Sequence, residues 1–187
     1  MKIGAIPPEQ LARRLTSTAG LVWRAGPFRV RLRAEAPEFA ASFHRLYAAH
    51  HLFDPPWNEV NDFHVALTRS RGLRRWWRPK VHFEADGPSP LSPFPLSPFP
   101  LDHALPLFEW GLNYCIATRA HQYLILHAAV VARGDRALLL PGLPGAGKST
   151  LCAALMLTGW RLLSDEFALV RPDETGAIHP LPRAISL

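Results

Sequence analysis

The stretch LLLPGLPGAGKSTLCAALM, residues 138–156, constrains the fold of this chain more than any other. The apolar run Ala137–Leu140 reads as a strand, and behind it Leu151, Leu155 and Met156 recur at helical spacing. Between the two, Gly142, Gly147, Lys148 and Ser149 fill the pattern G-x-x-x-x-G-K-[ST] without a gap. Leu143, Pro144, Gly145 and Ala146 complete the loop, and Thr150 follows it. Such a loop lets backbone N–H groups wrap an anion, which the helix N-terminus also attracts. Lys148 then spans the terminal phosphates of a nucleoside triphosphate, and Ser149 offers its hydroxyl to magnesium. The competing reading is a plain glycine turn. Strand, loop, Lys-Ser and helix in this order favour the phosphate cradle, which says nothing about the acceptor.

Composition sets wide bounds around that loop. The chain has 187 residues, enough for one substantial domain or two small ones. Hydrophobic residues make up 48% and charged residues 19%, a globular balance that excludes a disordered chain. The formal charge of +6 is carried mostly by arginine, because Lys2, Lys80 and Lys148 are the only lysines. A basic balance tolerates anionic partners without choosing among them. Cys115 and Cys152 both sit in apolar helical patterns and read as buried thiols rather than a disulfide. No signal-peptide core opens the sequence, and no apolar stretch is long enough for a membrane span. A cytoplasmic protein without a membrane partner is the expectation.

Upstream, Pro7-Pro8 introduce a short basic helix over 7–16, and FRVRLRAEA alternates apolar residues with arginine as a half-buried strand does. From Pro37 to Leu52 the apolar spacing becomes helical, through Phe39, Phe43, Leu46 and Tyr47, and NDFHVALTRS and KVHFEADG alternate again. This is an α+β module over 1–89. RSRGLRRWWRPK interleaves basic and aromatic residues, as single-stranded nucleic-acid binders do. No recognition motif accompanies it, so a solvated arginine loop is the preferred reading and nucleic acid is not an expected partner. PLSPFPLSPFPL is a tandem repeat too rich in proline for a helix interior or a central strand, and marks a linker over 90–101. After Asp102 a helix is expected to about Ala120, with Leu105, Phe108, Leu112, Cys115 and Ile116 as its apolar stripe. YLILHAAVVA and ALLLPG are strands joined at Arg133–Arg136.

Past the loop, Gly159 stops the helix and WRLL reads as a short buried strand ending at Ser164, Asp165 and Glu166. One helix and one strand therefore separate Lys148 from Asp165. A neighbouring strand reached this quickly can set an acid beside bound phosphates; the alternative is an exposed acidic turn. Successive side chains of extended backbone point oppositely, so only one of the two acids faces the phosphates unless the chain bends there. One could serve as base toward a hydroxyl and the other could help to hold magnesium.

The segment LHAAVVARGDRALLLPGLPGAGKSTLCAALMLTGWRLLSDEFALV resembles the HPr kinase/phosphorylase superfamily, and within it the HPr kinase-related proteins called HprK-related kinase A. The matching positions are His127, Gly142–Ser149 and Gly159–Glu166. PLFEWGLNYCIATRAHQYLILHAAVV, LPRAISL and FHVALTRSRGLRRWW are also similar to that family, so most of the chain is covered. The resemblance implies an α/β fold: an α+β N-terminal module, then a P-loop core of the HPr kinase and phosphoenolpyruvate carboxykinase type over 102–187. It implies ATP and Mg2+ as cofactors and transfer of the γ-phosphoryl group to a serine-type hydroxyl of a protein or peptide.

By position, Asp165 would deprotonate the acceptor, Lys148 and the loop amides would stabilise transferred charge, and Ser149 with Glu166 would handle magnesium. His127 would be a polar or proton-handling group near the phosphates, or a histidine satisfied by neighbouring strands. The true HPr kinases carry two aspartates where this chain has Asp165-Glu166, so the resemblance keeps the base but does not extend to reverse phosphorylase activity. Association with small PqqD-type peptide-binding proteins suggests a peptide-modification system. The resemblance leads us to expect more core after Leu187, hence a domain incomplete at its C-terminus, weak nucleotide binding and self-association through an exposed sheet edge. The rival readings are a small-metabolite kinase and a nucleotide-binding regulator without phosphoryl transfer.

Overall fold

A computed structural model of the chain describes residues 1–57, 59–70, 79–85, 98–143 and 145–183. Most of the arginine- and tryptophan-rich stretch, most of the proline repeat, Pro144 and the last four residues lie outside them. The described residues form a mixed α/β structure with two sheets and four α-helices. It divides into two compact units. Unit one comprises Met1–Arg24 and Phe28–Thr118; unit two comprises Ala25–Pro27 and Arg119–Leu187.

In unit one, helix α1 (Pro8–Thr16) begins at Pro8, whose fixed φ suits a first helical position. It buries Leu11 and Leu15, one turn apart. Strands β1 (Leu21–Ala25) and β2 (Phe28–Ala34) follow, then helix α2 (Pro37–Leu46). Helix α2 carries Glu38 in its first turn and His44 and Arg45 in its last, the polarity that its dipole favours. Short β3 (Leu52–Phe53), β4 (Phe63–Arg69), β5 (Lys80–Ala85) and β6 (Phe99–Pro100) complete the sheet, ordered β3-β1-β2-β4-β5-β6. Strands β2 and β4 run parallel, Val30 opposite Phe63 through Ala34 opposite Leu67, while β1 with β3, β4 with β5 and β5 with β6 pair antiparallel, as in Leu67 opposite Phe83.

Helix α3 (Ala104–Arg119) packs within unit one as far as Thr118. Phe108 meets Phe39 with ring centroids 5.2 Å apart and Phe43 at 5.8 Å, while Trp23 stands edge-on to Phe43 at 5.3 Å. The Tyr47 hydroxyl donates to Glu109 at 2.8 Å, and Gly111 sits so close to the Phe83 ring that a Cβ there would fall 2.4 Å from it. The compact units therefore part after Thr118, whereas the sequence reading placed the division at the proline repeat. The reason is physical: the stripe of α3 covers the aromatic residues of α2 and β1, a contact that local sequence does not announce.

Unit two is built on β7 (Leu124–Arg133), which turns at Gly134 into antiparallel β8 (Arg136–Pro141). Helix α4 (Lys148–Leu157) returns the chain to β9 (Arg161–Ser164), which pairs with β7 on the side away from β8. A bend at Asp165-Glu166 leads into β10 (Phe167–Val170), which continues along β7, and β11 (Ile178–His179) pairs with β10. Alternate residues of β7 fill two layers. Ala128 and Val130 pack with Ala168, Leu139 and Leu163; Ala129 and Val131 pack with Cys152, Leu155 and Leu162 beneath α4. Strand β8 ends the sheet order, and Leu138, Leu151, Met156 and Leu157 are exposed. Among the described residues no helix is long and apolar enough to cross a membrane.

Candidate phosphate-binding site

The register of β7 explains how distant parts of the sequence meet. Pro141, the end of β8, lies opposite Ala128, and Ser164, the end of β9, lies opposite Val130. Both flanking strands run antiparallel to β7, so they are parallel to each other and finish at the same end of the sheet. The glycine loop leaves one of these ends and Asp165-Glu166 leaves the other. The Ala128 N–H donates to the Glu166 carbonyl at 3.1 Å, which ties the acidic bend to β7 beside His127.

At the loop, Gly147 precedes α4 with φ 81°, a conformation in which glycine has no Cβ penalty. The first intrahelical bond runs from the Leu151 N–H to the Gly147 carbonyl at 2.9 Å. The N–H groups of Lys148, Ser149 and Thr150 thus precede the helix ladder, and no side chain caps them. Lys148 folds over its own loop: Nζ donates to the Gly142 carbonyl at 2.8 Å and to that of Leu143 at 3.1 Å. An arriving anion would compete for this ammonium. Leu143, Gly145, Ala146, Gly147 and Thr150 are exposed, and the Ala146 N–H donates to the Leu143 carbonyl at 3.1 Å.

Ser149, in the first turn of α4, donates to Asp165 Oδ2 at 3.4 Å. Asp165 Oδ1 is buried and has no hydrogen-bond partner among the described residues. Buried acceptors are ordinarily satisfied by a hydrogen-bond donor, an ordered water or an ion. One turn further along α4, the buried Cys152 feels the same carboxylate. Burial first, and Asp165 second, push its thiol above the ordinary value. Cys115 and Cys152 are both buried thiols outside any disulfide.

Glu166 is exposed, and so is His127, whose ring lies 6.4 Å from that of its cross-strand partner Phe167. The bend resolves which acid faces the helix: Asp165 lies at Ser149. Sequence reasoning missed Ser164, which is buried and whose hydroxyl accepts the Phe167 N–H at 3.2 Å across the bend. Its only signal was its place at the end of WRLL.

Among the described residues no three His, Cys, Asp or Glu side chains gather as a metal site of their own. The residues do fit a hard cation shared with phosphate: the Ser149 hydroxyl and the exposed Glu166 carboxylate are oxygen donors of the type that magnesium takes alongside phosphate oxygens and water. Comparison of the chain with protein-family models, with curated proteins and with solved structures found no match.

Proposed function

We propose that the chain is an ATP-dependent phosphotransferase of HPr kinase-related type, with unit two as part of a P-loop kinase core. The acceptor is a serine-type hydroxyl of a protein or peptide, as the sequence resemblance implies. The observation that carries the reading is the approach of Ser149 to Asp165, with Asp165 Oδ1 buried and unpartnered at the mouth of the glycine loop.

In this reading the free N–H groups of Lys148, Ser149 and Thr150 hold phosphate oxygens, and Lys148 exchanges its two carbonyl partners for them. Asp165 Oδ1 takes the proton of the acceptor hydroxyl as that oxygen attacks phosphorus. Ser149 and Glu166 would hold Mg2+, and His127 would sit beside the phosphates as a polar group. When bound, ATP supplies the phosphoryl group and Mg2+ offsets its charge.

The test is transfer of label from γ-32P-ATP with magnesium to a library of serine-containing peptides, with hydroxylated metabolites as a parallel set. Peptide labelling that is abolished by Asp165→Asn is expected. Full transfer by Asp165→Asn would remove the base assignment, and labelling of metabolites alone would replace the peptide acceptor. Nucleotide binding without transfer to either set would leave a regulator.

A further inference from the structure

The solvent face of the unit one sheet carries an arrangement that the phosphate loop does not use. Along β2 the residues Phe28, Val30, Leu32 and Ala34 are buried, so Arg29, Arg31 and Arg33 alternate outward, about 6.7 Å apart. On the neighbouring β4, His64 lies opposite Arg31 and Ala66 opposite Arg33; on β5, Glu84 lies opposite Ala66. The small Ala66 side chain leaves a hollow of about 170 Å³ between an arginine wall and Glu84. Two strand spacings, about 9.6 Å, separate the walls.

The charged groups are held in place. Arg31 Nε donates to the Ala19 carbonyl at 2.8 Å and its terminal nitrogen to that of Thr18 at 3.2 Å, leaving its other N–H donors for a ligand. Arg33 is exposed and makes no ion pair or hydrogen bond among the described residues. Glu84 accepts the Thr68 hydroxyl at 2.6 Å, which orients its carboxylate.

We propose that this hollow is a docking site for an extended acidic peptide segment. Alternate side chains of an extended peptide repeat at the same spacing of about 6.7 Å, so two carboxylates reach Arg31 and Arg33 together. A basic side chain of the same segment meets Glu84. The mixed charge argues against nucleic acid, since Glu84 stands in the hollow and Glu59 pairs with Arg29, where a polyphosphate would be repelled. The nearby rings are also occupied: the Arg29 guanidinium lies 4.0 Å from the Phe53 centroid and that of Arg31 5.9 Å from Trp57. Stacking of bases needs open aromatic faces. The site lies in unit one and stands whether or not unit two transfers phosphate.

The experiment uses the full chain carrying Asp165→Asn, so that a failed kinase assignment cannot disturb it. Fluorescein-labelled GEAEAKAG, the charge-reversed GKAKAEAG and a ten-nucleotide oligo(dT) are titrated by fluorescence anisotropy at low and high salt. The acidic peptide is expected to bind in a salt-sensitive way. Arg33→Gln should weaken it about tenfold, the range of one charge-assisted contact, and Arg33→Lys should recover part of the loss. Glu84→Gln should weaken GEAEAKAG but not GEAEAAAG. Circular dichroism checks that these exposed-site variants fold. No binding of GEAEAKAG, equal binding of the reversed peptide, tighter binding of oligo(dT), or unchanged affinity in folded Arg33→Gln would each overturn the proposal.

Discussion

Asp165→Asn should abolish activity while barely moving stability, and the size of each change follows from the geometry. The contact from Ser149 to Oδ2 is 3.4 Å, at the long end of hydrogen bonding, so its loss costs only about 0.5 kcal/mol. Oδ1 is buried without a partner, and an unsatisfied buried acceptor costs about 1–3 kcal/mol. Asparagine keeps the shape and still leaves a polar atom buried there, so unit two should stay within about 1 kcal/mol of the wild type. Loss of a general base lowers a transfer rate by about 10²–10⁴. Hydrogen exchange at the β7 amides reads unit two alone, and single-turnover labelling reads the chemistry. A variant less stable by more than about 2 kcal/mol, yet transferring at the wild-type rate, would make Asp165 a structural anchor and refute this reasoning.

Lys148→Met should leave stability within about 0.5 kcal/mol, since this half-exposed lysine bonds only loop carbonyls, but should weaken binding of an ATP analogue about tenfold or more by calorimetry. Gly147→Ala forces a Cβ into φ 81° and should cost about 1–2 kcal/mol in urea unfolding of unit two, together with anion binding. Gly111→Ala would bring a Cβ within 2.4 Å of the Phe83 ring and should destabilise unit one by about 1–3 kcal/mol, while the loop binds nucleotide as before. The Cys152 thiol, raised by burial and by Asp165, supports folding fully below its ordinary value of 9.0 and loses that contribution as pH rises beyond it. In a Cys115→Ser background, Asp165→Asn should lower the pH at which thiolate ultraviolet absorbance appears; an unchanged titration would mean that burial alone sets the shift.

Local pattern carried much of this fold. Alternation announced β2, β4 and β5, the proline starts announced α1 and α2, and the glycine loop stands between β8 and α4 as its chemistry requires. The short β1, β3, β10 and β11 were not legible, because strands of two to five residues repeat too little for a period to show. Helix α2 also ends at Leu46, ahead of the expected Leu52, because β3 takes Leu52 and Phe53 to pair with β1.

By itself, then, the sequence determined where the helices and the longer strands begin, which loop has the pattern of an anion cradle, and that Asp165, Glu166 and His127 are the side chains that could serve it. These are properties of neighbours along the chain, set by side-chain period and by glycine and proline geometry. Tertiary structure decided what depends on distant pairing. It joined α3 to the aromatic residues of unit one, and it ended β8 and β9 together so that Asp165 rather than Glu166 meets Ser149. It also set Arg31, Arg33 and Glu84 around Ala66 on three adjacent strands. Strand register fixes each of these, and register is settled by burying one face of a sheet, which no local window of sequence contains.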